Sequence, residues 1–319
     1  MFKQLFGLIS PAGTKARLSV LIFHRVLPEP DALFPDEIDA RRFGELCGWL
    51  NGWCNILSLD DAVARIKTGT LPARAACITF DDGYADNHNV ALPILQRHGL
   101  TATFFVATGF LDGGRMWNDT VIESVRLTPL SALRLGDPLG ASFGDVLVST
   151  IEDKRAAIQA IIDELKYKPV AERAGLTEQI AQLSQVRPST ELMMTSADVR
   201  ALRHAGMQIG AHTVSHPILA TLDRFAAHAE IAESKNTLES LLGERVGLFA
   251  YPNGKPEVDY NSESVDIVRG LGFDAAVSTR WAAASADTDM FQIPRFTPWD
   301  RTQFRFGARL LGNLRMANL

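Results

Sequence analysis

A short apolar run that ends in two carboxylates constrains this chain more than any other feature. Residues Ala75–Phe80 are almost all hydrophobic and have the length of a buried strand. Asp81, Asp82 and Gly83 follow directly. Two adjacent acids at a strand end repel each other unless a cation or a shared proton relieves them. The pair therefore indicates a functional site, and the structural alternative is a helix N-cap beside a solvated carboxylate.

A second motif, far along the chain, favours the functional interpretation. His212 and His216 are four residues apart and follow another apolar run, Met207–Ala211. Both imidazoles can reach one point if this segment turns helically. One carboxylate and two imidazoles make a face of three ligands that leaves metal positions open for water and substrate. The two motifs together predict a site for a divalent metal ion.

The two motifs resemble those of a known enzyme family. Residues 79–83 and 212–216 look like the first two motifs of the polysaccharide deacetylases, which are carbohydrate esterase family 4. The resemblance extends from about Leu18 to about Pro298. It implies an α/β fold, an irregular seven-stranded (β/α) barrel, and a hydrolase that removes acetyl groups from N-acetylated sugars of a polysaccharide or glycolipid.

The resemblance also assigns roles to the residues of both motifs. Asp82, His212 and His216 are the metal ligands that it implies, and the divalent ion is most simply zinc (Zn2+). Such an ion lowers the pKa of a bound water molecule and polarises the acetamide carbonyl. Asp81, next to the ligand, is the implied base that takes the proton from that water.

The chain departs from the family pattern in two places. The segment Phe249–Gly254, where the third motif belongs, has no arginine, and no histidine follows His228. Arg295, at the end of the last predicted strand, could replace the arginine by pairing with Asp81; a surface salt bridge is the alternative. His24, at the end of the first predicted strand, could replace the late histidine as proton donor to the leaving amine; a structural histidine is the alternative.

Four more residues are candidates for substrate binding. Backbone N–H groups beyond the strand that leads into Tyr251, Pro252 and Asn253 could complete a site for the oxyanion. Trp117 offers an aromatic ring on which a sugar could stack. A buried tryptophan at a helix start is the alternative interpretation of Trp117.

The order of apolar segments predicts the fold class. Strands alternate with helices along most of the chain, which favours parallel strands with helices outside them. A helix is predicted from about Asp86 to His98. An open doubly wound sheet fits the alternation as well as a barrel does, and the resemblance favours the barrel. The predicted strands are Leu18–Phe23, Ile56–Leu57, Ala75–Phe80, Thr101–Ala107, Met207–Ala211, Val246–Tyr251, Asp274–Ser278 and Phe291–Phe296.

Four segments describe the predicted domain organisation. Residues 1–17 form an N-terminal extension, residues 18–300 the barrel, and residues 301–319 a basic amphipathic helix. Residues from about 113 to 195 do not continue the alternation and are predicted to be a helical insertion that shapes the substrate pocket. The C-terminal helix packs on the barrel with a basic outer face in one interpretation and adsorbs weakly to a membrane in the other.

Composition limits the partners that we expect. The 319 residues carry a net charge of −5, which gives no reason to expect a nucleic acid. The three cysteines have neither metal-ligand spacing nor a disulfide framework, which suits a reducing compartment. The N-terminal apolar run is too short for a signal sequence or a membrane span. We therefore expect cytoplasmic residence, with peripheral membrane contact through the termini as an addition.

The sequence leaves three functions open. The first is a metal-dependent deacetylase of N-acetylated sugars. The second is a metal hydrolase that cleaves a non-sugar C–N bond, such as a cyclic amide, on the same scaffold. The third is a non-catalytic carbohydrate-binding relative that has kept the metal ligands. The presence of both Asp81 and Asp82 argues against the third function, because a binding scaffold has no need of the base.

Overall fold

Short strands alternate with longer helices in residues 1–140 and 143–316, which the computed structural model describes. The strands, in chain order, are β1 (Leu18–Phe23), β2 (Asn55–Ile56), β3 (Ala75–Phe80), β4 (Thr103–Val106), β5 (Ala132–Arg134), β6 (Asp145–Leu147), β7 (Gln208–Ala211), β8 (Leu248–Ala250) and β9 (Ala275–Val277). The α-helices are α1 (Phe2–Ile9), α2 (Ala40–Trp53), α3 (Leu59–Thr68), α4 (Leu92–His98), α5 (Trp117–Leu127), α6 (Gly136–Leu139), α7 (Ile151–Leu165), α8 (Val170–Leu183), α9 (Ser196–His204), α10 (Arg224–Leu242), α11 (Ser262–Gly270) and α12 (Gln303–Arg315).

The chain divides into two units. The larger comprises Met1–Glu29, Asp36–Asp112 and Met194–Leu319, and it contains β1 to β4 and β7 to β9. The smaller comprises Pro30–Pro35 and Gly113–Met193, and it contains β5, β6 and the four helices α5 to α8.

The larger unit is built on a parallel sheet of seven strands. The hydrogen-bonded order is β1-β3-β4-β7-β8-β9, and β2 pairs with the first two residues of β3. Every residue of β1, β3 and β4 is buried, so these strands show no alternation of polar and apolar residues. Such uniform burial is expected of a parallel sheet that is covered on both faces. Whether this sheet is open or closes into a barrel depends on how its two edge strands, β1 and β9, are connected.

An irregular segment connects the two edge strands of the sheet. Ile293 forms a parallel bridge with Val277 of β9, and Phe296 forms one with Leu21 of β1. The predicted (β/α) barrel is therefore confirmed in an irregular form, and the open doubly wound sheet is excluded for the larger unit. The regular strand predicted over residues 291–296 is wrong, because only isolated bridges form there. Pro294 interrupts this segment and has no N–H to donate to a ladder.

The strand register brings the ends of several strands to one edge. Phe23 lies opposite Phe80 in the pairing of β1 with β3, and Ala211 lies opposite Val106 in the pairing of β4 with β7. The residues that directly follow β1, β3 and β7 are His24, Asp81 and His212. The carboxyl end of the barrel is thus where the polar groups collect, as expected for this architecture.

The helix predicted from Asp86 to His98 begins differently from the prediction. A single π-turn, Asn87–Ala91, precedes α4. Pro93 lies at the start of α4 and cannot donate to the carbonyl of Asn89. The wider turn accommodates this missing donor without ending the helix, so the physical cause of the departure is the proline.

The smaller unit has its own hydrophobic core. Helix α7 begins with a capping box between Thr150 and Asp153, in which each side chain bonds the other residue's backbone N–H. β5 pairs antiparallel with β6, so the segment predicted as a helical insertion contains a short hairpin as well as helices. Residues 141 and 142 of that predicted segment lie outside the described residues. Buried members of the core include Val121, Val125, Ile158, Ile161, Leu165 and Ile180.

The two terminal helices, α1 and α12, pack against each other in the larger unit. The ring of Phe2 lies 5.9 Å from that of Phe304, and a Cβ at Gly307 would come within 2.6 Å of the Phe2 ring. Phe306 and Leu310 turn the opposite face of α12 into the core. Residues 317–319 of the predicted C-terminal helix lie outside the described residues. Within those described, no helix combines the length and the apolar character needed to cross a membrane.

Close packing at Gly210 of β7 gives a stability prediction. A Cβ there would lie 2.4 Å from the ring of Phe105, which is fully buried and cannot move aside freely. We expect Gly210→Ala to lower the free energy of unfolding by about 1–3 kcal/mol. Gly44→Ala in α2, where nothing lies within 4 Å of the added carbon, should be neutral or should raise it by up to about 1 kcal/mol. Urea denaturation of both variants tests the pair, and equal stabilities would contradict the packing argument.

Candidate active site

The turn after β3 holds the first motif in a strained backbone conformation. Asp82 has φ of 77° and Gly83 has φ of 92°, both in the left-handed region that only glycine enters without steric cost. The carbonyl of Asp82 accepts a hydrogen bond from the N–H of Ala107 (3.2 Å), and that of Gly83 accepts one from Met194 (2.9 Å). Hydrogen bonds from neighbouring segments thus maintain the strain, which is a feature of functional sites.

Asp82, His212 and His216 come together as one cluster. One ligand atom from each lies within 4.8 Å of the others, and the Asp82 Oδ1 is 3.4 Å from the Nε2 atom of either histidine. This oxygen is buried and has no hydrogen-bond partner among the described residues. A buried carboxylate oxygen that faces two imidazole nitrogens is left unsatisfied unless a cation binds. The donor set of one oxygen and two nitrogens fits a divalent metal ion.

The two histidines reach the cluster by a different path from the one predicted. Residues 212–216 form no helical turn; Thr213 and His216 both have positive φ, 65° and 53°. The Thr213 hydroxyl accepts a hydrogen bond from the His216 N–H (3.1 Å). The Nδ1 of His212 bonds the carbonyl of Ala250 (2.7 Å), which assigns the proton to Nδ1 and leaves Nε2 free to coordinate.

Glu230 of α10 is a supporting residue that the sequence analysis missed. Its Oε2 accepts hydrogen bonds from the N–H groups of Val214 and Ser215, each at 2.9 Å. Its Oε1 accepts a third bond from the Ser215 hydroxyl (2.6 Å). Glu230 therefore fixes the loop between the two histidines. No motif spacing distinguishes it from the other acidic residues of α10, so only the fold identifies it.

Arg295 pairs with Asp81 in a fully buried, two-pronged arrangement. The Nη1 atom of Arg295 lies 2.7 Å from Oδ1 of Asp81, and the Nη2 atom lies 2.7 Å from Oδ2. Arg295 is 1% exposed, and its Nε donates to the carbonyl of Ser278 (2.9 Å). The pairing that the sequence suggested is present, and the alternative of a surface salt bridge is wrong. A paired guanidinium fork fixes the orientation of a carboxylate.

The electrostatics of the cluster keep both acids ionised. Burial alone would raise the pKa of Asp81, but the charge of Arg295 and, after it, that of His212 hold this pKa below its usual range. Burial would likewise raise the pKa of Asp82, but the imidazoles of His212 and His216, each 3.4 Å from its Oδ1, lower it below the usual range. Two adjacent carboxylates can therefore be ionised at neutral pH, because cationic groups compensate each of them.

The pKa values of the two histidines of the cluster are shifted in opposite directions. Burial lowers the pKa of His216 to about 4, so its imidazole is neutral at neutral pH and can act as a ligand. Burial would also lower the pKa of His212, but the neighbouring carboxylates of Asp82 and Asp81 raise it above its usual value. The positive charge of His212 is thus one of the charges that compensate the buried acids.

His24 lies at the same end of the barrel as the cluster. It follows β1, whose last residue, Phe23, accepts a hydrogen bond from the Asp81 N–H (2.9 Å). The charge of His24 contributes to the lowered pKa values of Asp81 and Asp82. The side chain is exposed and lines a cleft of about 490 Å³ that also includes Trp299. Its position is compatible with contact to substrate, and its role as proton donor stays a prediction.

The residues predicted to bind substrate differ in their positions. The Tyr251 side chain does not fit that role, because its ring is buried against Tyr260 and its hydroxyl donates to the carbonyl of Phe291 (3.0 Å). Pro252 is buried as well, whereas Asn253 is exposed in a left-handed turn with φ of 57°. Trp117 belongs to the smaller unit, where the guanidinium of Arg173 lies 4.7 Å from its ring.

Comparison with known families identifies the chain. The family model described as "Polysaccharide deacetylase" matches residues 68–126 and 148–276, more than half of the 319 residues. The matched residues include Asp81, Asp82, His212 and His216. The chain belongs to the polysaccharide deacetylase family. The enzyme class of this family member is therefore a hydrolase of non-peptide carbon–nitrogen bonds.

Individual relatives agree with the family assignment. The chain is 21% identical to the Bacillus subtilis (strain 168) protein named "Putative polysaccharide deacetylase YxkH", over 88% of this chain and 71% of the relative. The structure resembles that of the Streptococcus pyogenes deacetylase PplD in complex with acetate, with a TM-score of 0.61, 18% identity, and coverage of 94% and 98% of the two chains. It also resembles that of IcaB from Ammonifex degensii, with a TM-score of 0.60, 18% identity, and coverage of 96% of this chain and 98% of IcaB. These structural likenesses support the fold of this deacetylase family member.

The cluster gives a prediction about metal binding. Removing one imidazole from a face of three ligands should weaken binding of a divalent metal ion, for which added zinc is the probe, by more than the roughly 10–100-fold that loss of an outer-shell partner costs. We expect His216→Ala to lose zinc on dialysis and to stay folded, because the side chain lies at the open end of the barrel. Elemental analysis after dialysis measures this loss. His228→Ala, on the exposed face of α10, is the control and should keep its zinc; full occupancy of the His216→Ala protein would contradict the ligand assignment.

Proposed function

We propose that this protein is a metal-dependent deacetylase that removes acetyl groups from N-acetylated sugars of a polysaccharide or glycolipid. The observation that carries the proposal is the second carboxylate beside the cluster. Asp81 is not one of the three clustered ligands, yet it is buried, ionised and oriented by Arg295. In a non-catalytic binding protein, a carboxylate beside the metal-ligand cluster would have no proton to accept from a water molecule, so the carbohydrate-binding alternative is disfavoured.

Asp82, His212 and His216 would hold the metal ion, and we propose zinc. When bound, the ion supplies Lewis acidity, which polarises the acetamide carbonyl and lowers the pKa of a water molecule. The orphaned Oδ1 of Asp82 and the Nε2 atoms of the two histidines are the donors available for it. Glu230 would keep the histidine loop in place as the ion binds and leaves.

Asp81 would act as the general base. Its carboxylate is adjacent in sequence to the ligand Asp82, and its lowered pKa keeps it ready to accept a proton from the attacking water. The fork of Arg295 holds the carboxylate in one orientation, so little reorganisation is needed when the proton moves. A carboxylate that is already oriented and desolvated is better suited to this step than a mobile one.

His24 would donate the proton to the departing amine. Hydrolysis of an amide expels a poor leaving group unless the nitrogen is protonated, and histidine readily transfers protons near neutral pH. The exposed ring of His24 in its cleft could reach a bound sugar, and no histidine follows His228 in the chain. Asn253 and its backbone N–H, exposed in the turn after β8, are the remaining candidates for contact with the oxyanion.

We further propose that the enzyme works in the cytoplasm or another reducing compartment. Cys47, Cys54 and Cys77 are all free. Burial raises the pKa of the Cys47 and Cys54 thiols to about 12, which keeps them unreactive.

Replacement of the proposed base gives a test of the mechanism. Asp81→Asn removes the proton acceptor and keeps the three clustered ligands, so zinc content should be unchanged. We expect the rate of acetate release from N-acetylglucosamine oligosaccharides to fall by about 10²–10⁴. Asp266→Asn, at an exposed position on α11, is the control and should retain the wild-type rate. Near-normal turnover by zinc-loaded Asp81→Asn protein would remove Asp81 from the mechanism.

The guanidinium partner of Asp81 gives a prediction about pH dependence. In Arg295→Met, burial is no longer opposed by Arg295, so the pKa of Asp81 should rise. The acid limb of kcat/KM should then move to higher pH, because the base becomes protonated sooner as the pH falls. Arg309→Met, which removes a partly exposed pair with Asp300, should leave the limb in place.

Stability must be measured alongside this pH profile. Breaking a buried ion pair by removing one partner costs about 3–5 kcal/mol, so Arg295→Met should unfold at a lower temperature. If that variant fails to fold, Arg295→Lys keeps the charge while losing the fork, and it should show reduced kcat with a smaller displacement of the acid limb. An acid limb that coincides with the wild type in both variants would contradict the coupling of Arg295 to the base.

A further inference from the structure

Positive charge is concentrated in the two terminal segments of the chain. Residues 1–17 and 301–319 contain seven basic residues and no Asp or Glu. The intervening residues, 18–300, therefore contain the remaining 25 of the 32 Lys and Arg residues and all 37 acidic ones. The terminal segments carry +7, while the rest of the chain carries −12. The seven basic residues are Lys3, Lys15, Arg17, Arg301, Arg305, Arg309 and Arg315.

The fold joins these two segments, which are far apart in sequence. Phe2 of α1 packs between Phe304 and the bare backbone of Gly307 in α12. Two of the basic residues are compensated by acids, since Arg309 pairs with Asp300 (2.7 Å) and Arg301 pairs with Asp36. Lys3, Arg305 and Arg315 are exposed and have no ion-pair partner in the part of the chain that the structure describes.

Large apolar side chains are exposed on the same two helices. Leu8 of α1 is 79% exposed and Phe304 of α12 is 66% exposed. Both helices already bury an apolar face, represented by Phe6 and Phe306. Most of the surface of Leu8 and Phe304 therefore faces solvent, although the Phe304 ring also packs on Phe2. We call the exposed residues Lys3, Leu8, Phe304, Arg305 and Arg315 the terminal face.

We propose that the terminal face adsorbs to the surface of an anionic lipid bilayer. Apolar side chains can enter the boundary between headgroups and acyl chains, while lysine and arginine attract anionic headgroups. Helices of 8 and 13 residues are shorter than the roughly 20 residues that a membrane span requires, so they lie on the bilayer rather than cross it. The acidic remainder of the chain is repelled by the same surface, which sets the orientation of the protein.

Charge complementarity favours a lipid surface over a protein partner for the terminal face. A protein partner would need an acidic patch that matches these residues, whereas an anionic bilayer is negatively charged over its whole surface. The proposal does not depend on the deacetylase activity, because it concerns adsorption alone. If both hold, adsorption would bring the enzyme close to sugars carried by lipids, which are one of the two substrate classes proposed above.

Vesicle sedimentation tests the proposal without any turnover. We expect the full chain to sediment with vesicles of phosphatidylcholine mixed with phosphatidylserine, to bind vesicles of phosphatidylcholine alone weakly, and to be released as salt screens the charges. Arg305→Glu combined with Arg315→Glu should lower the partition coefficient on the mixed vesicles at least about tenfold. Phe304→Ser should lower it by about fivefold.

A matched control comes from another exposed aromatic and basic pair. Arg224 and Phe225 of α10 are exposed, Phe225 by 87%, and Arg224→Glu with Phe225→Ser should leave vesicle binding unchanged. Circular dichroism checks that each variant is folded, and Lys3→Glu replaces the double variant if that one is not. Equal binding to both kinds of vesicle, or full binding by the charge-reversed variant, overturns the proposal. Self-association that the same variants abolish, without vesicle binding, overturns it in favour of contact between copies.

Discussion

The rest of the larger unit depends on one buried ion pair, that between Arg295 and Asp81. Arg295 belongs to the irregular segment that connects β9 to β1, and Asp81 directly follows β3, which lies on the far side of β1. The guanidinium also bonds the carbonyl of Ser278, just after β9. Desolvating both charges is costly, and only the paired, hydrogen-bonded geometry offsets that cost. The same contact therefore joins the closing segment to the end of β3 and orients the proposed base.

The backbone around the metal-ligand cluster is strained, and contacts from neighbouring segments maintain this strain. Asp82, Thr213 and His216 all have positive φ, although none is glycine. Each such residue is unfavourable by about 1–3 kcal/mol and persists only where surrounding structure determines it. Glu230 and the backbone bonds from Ala107 provide this support. Folding of the protein offsets the cost of this backbone strain, so the ligand atoms lie close together before an ion binds. Metal binding therefore requires little reorganisation of the protein.

Local patterns were sufficient to predict the features that a short stretch of sequence contains in full. The Asp81–Asp82 pair, the two histidines and most strands are such features. Arg295 could be found because the segment Phe249–Gly254 of this chain lacks the arginine that the family pattern places there. The support from Glu230, the burial of Tyr251 and the bridged closure at Ile293 could not be predicted. Each depends on packing between segments distant in sequence, and hydrophobic periodicity contains no information about that packing.

The distance along the chain between the two members of the ion pair has a consequence for folding. Asp81 and Arg295 are separated by 214 residues, so a ribosome must complete nearly the whole chain before the acid meets its counter-charge. Until then, a collapsed nascent barrel either exposes the end of β3 to water or buries a protonated Asp81. Contacts of such long range also slow folding, because loop closure must precede them. The emergence of the C-terminal segment from the ribosome is therefore the event that permits the barrel to close with Asp81 both buried and ionised.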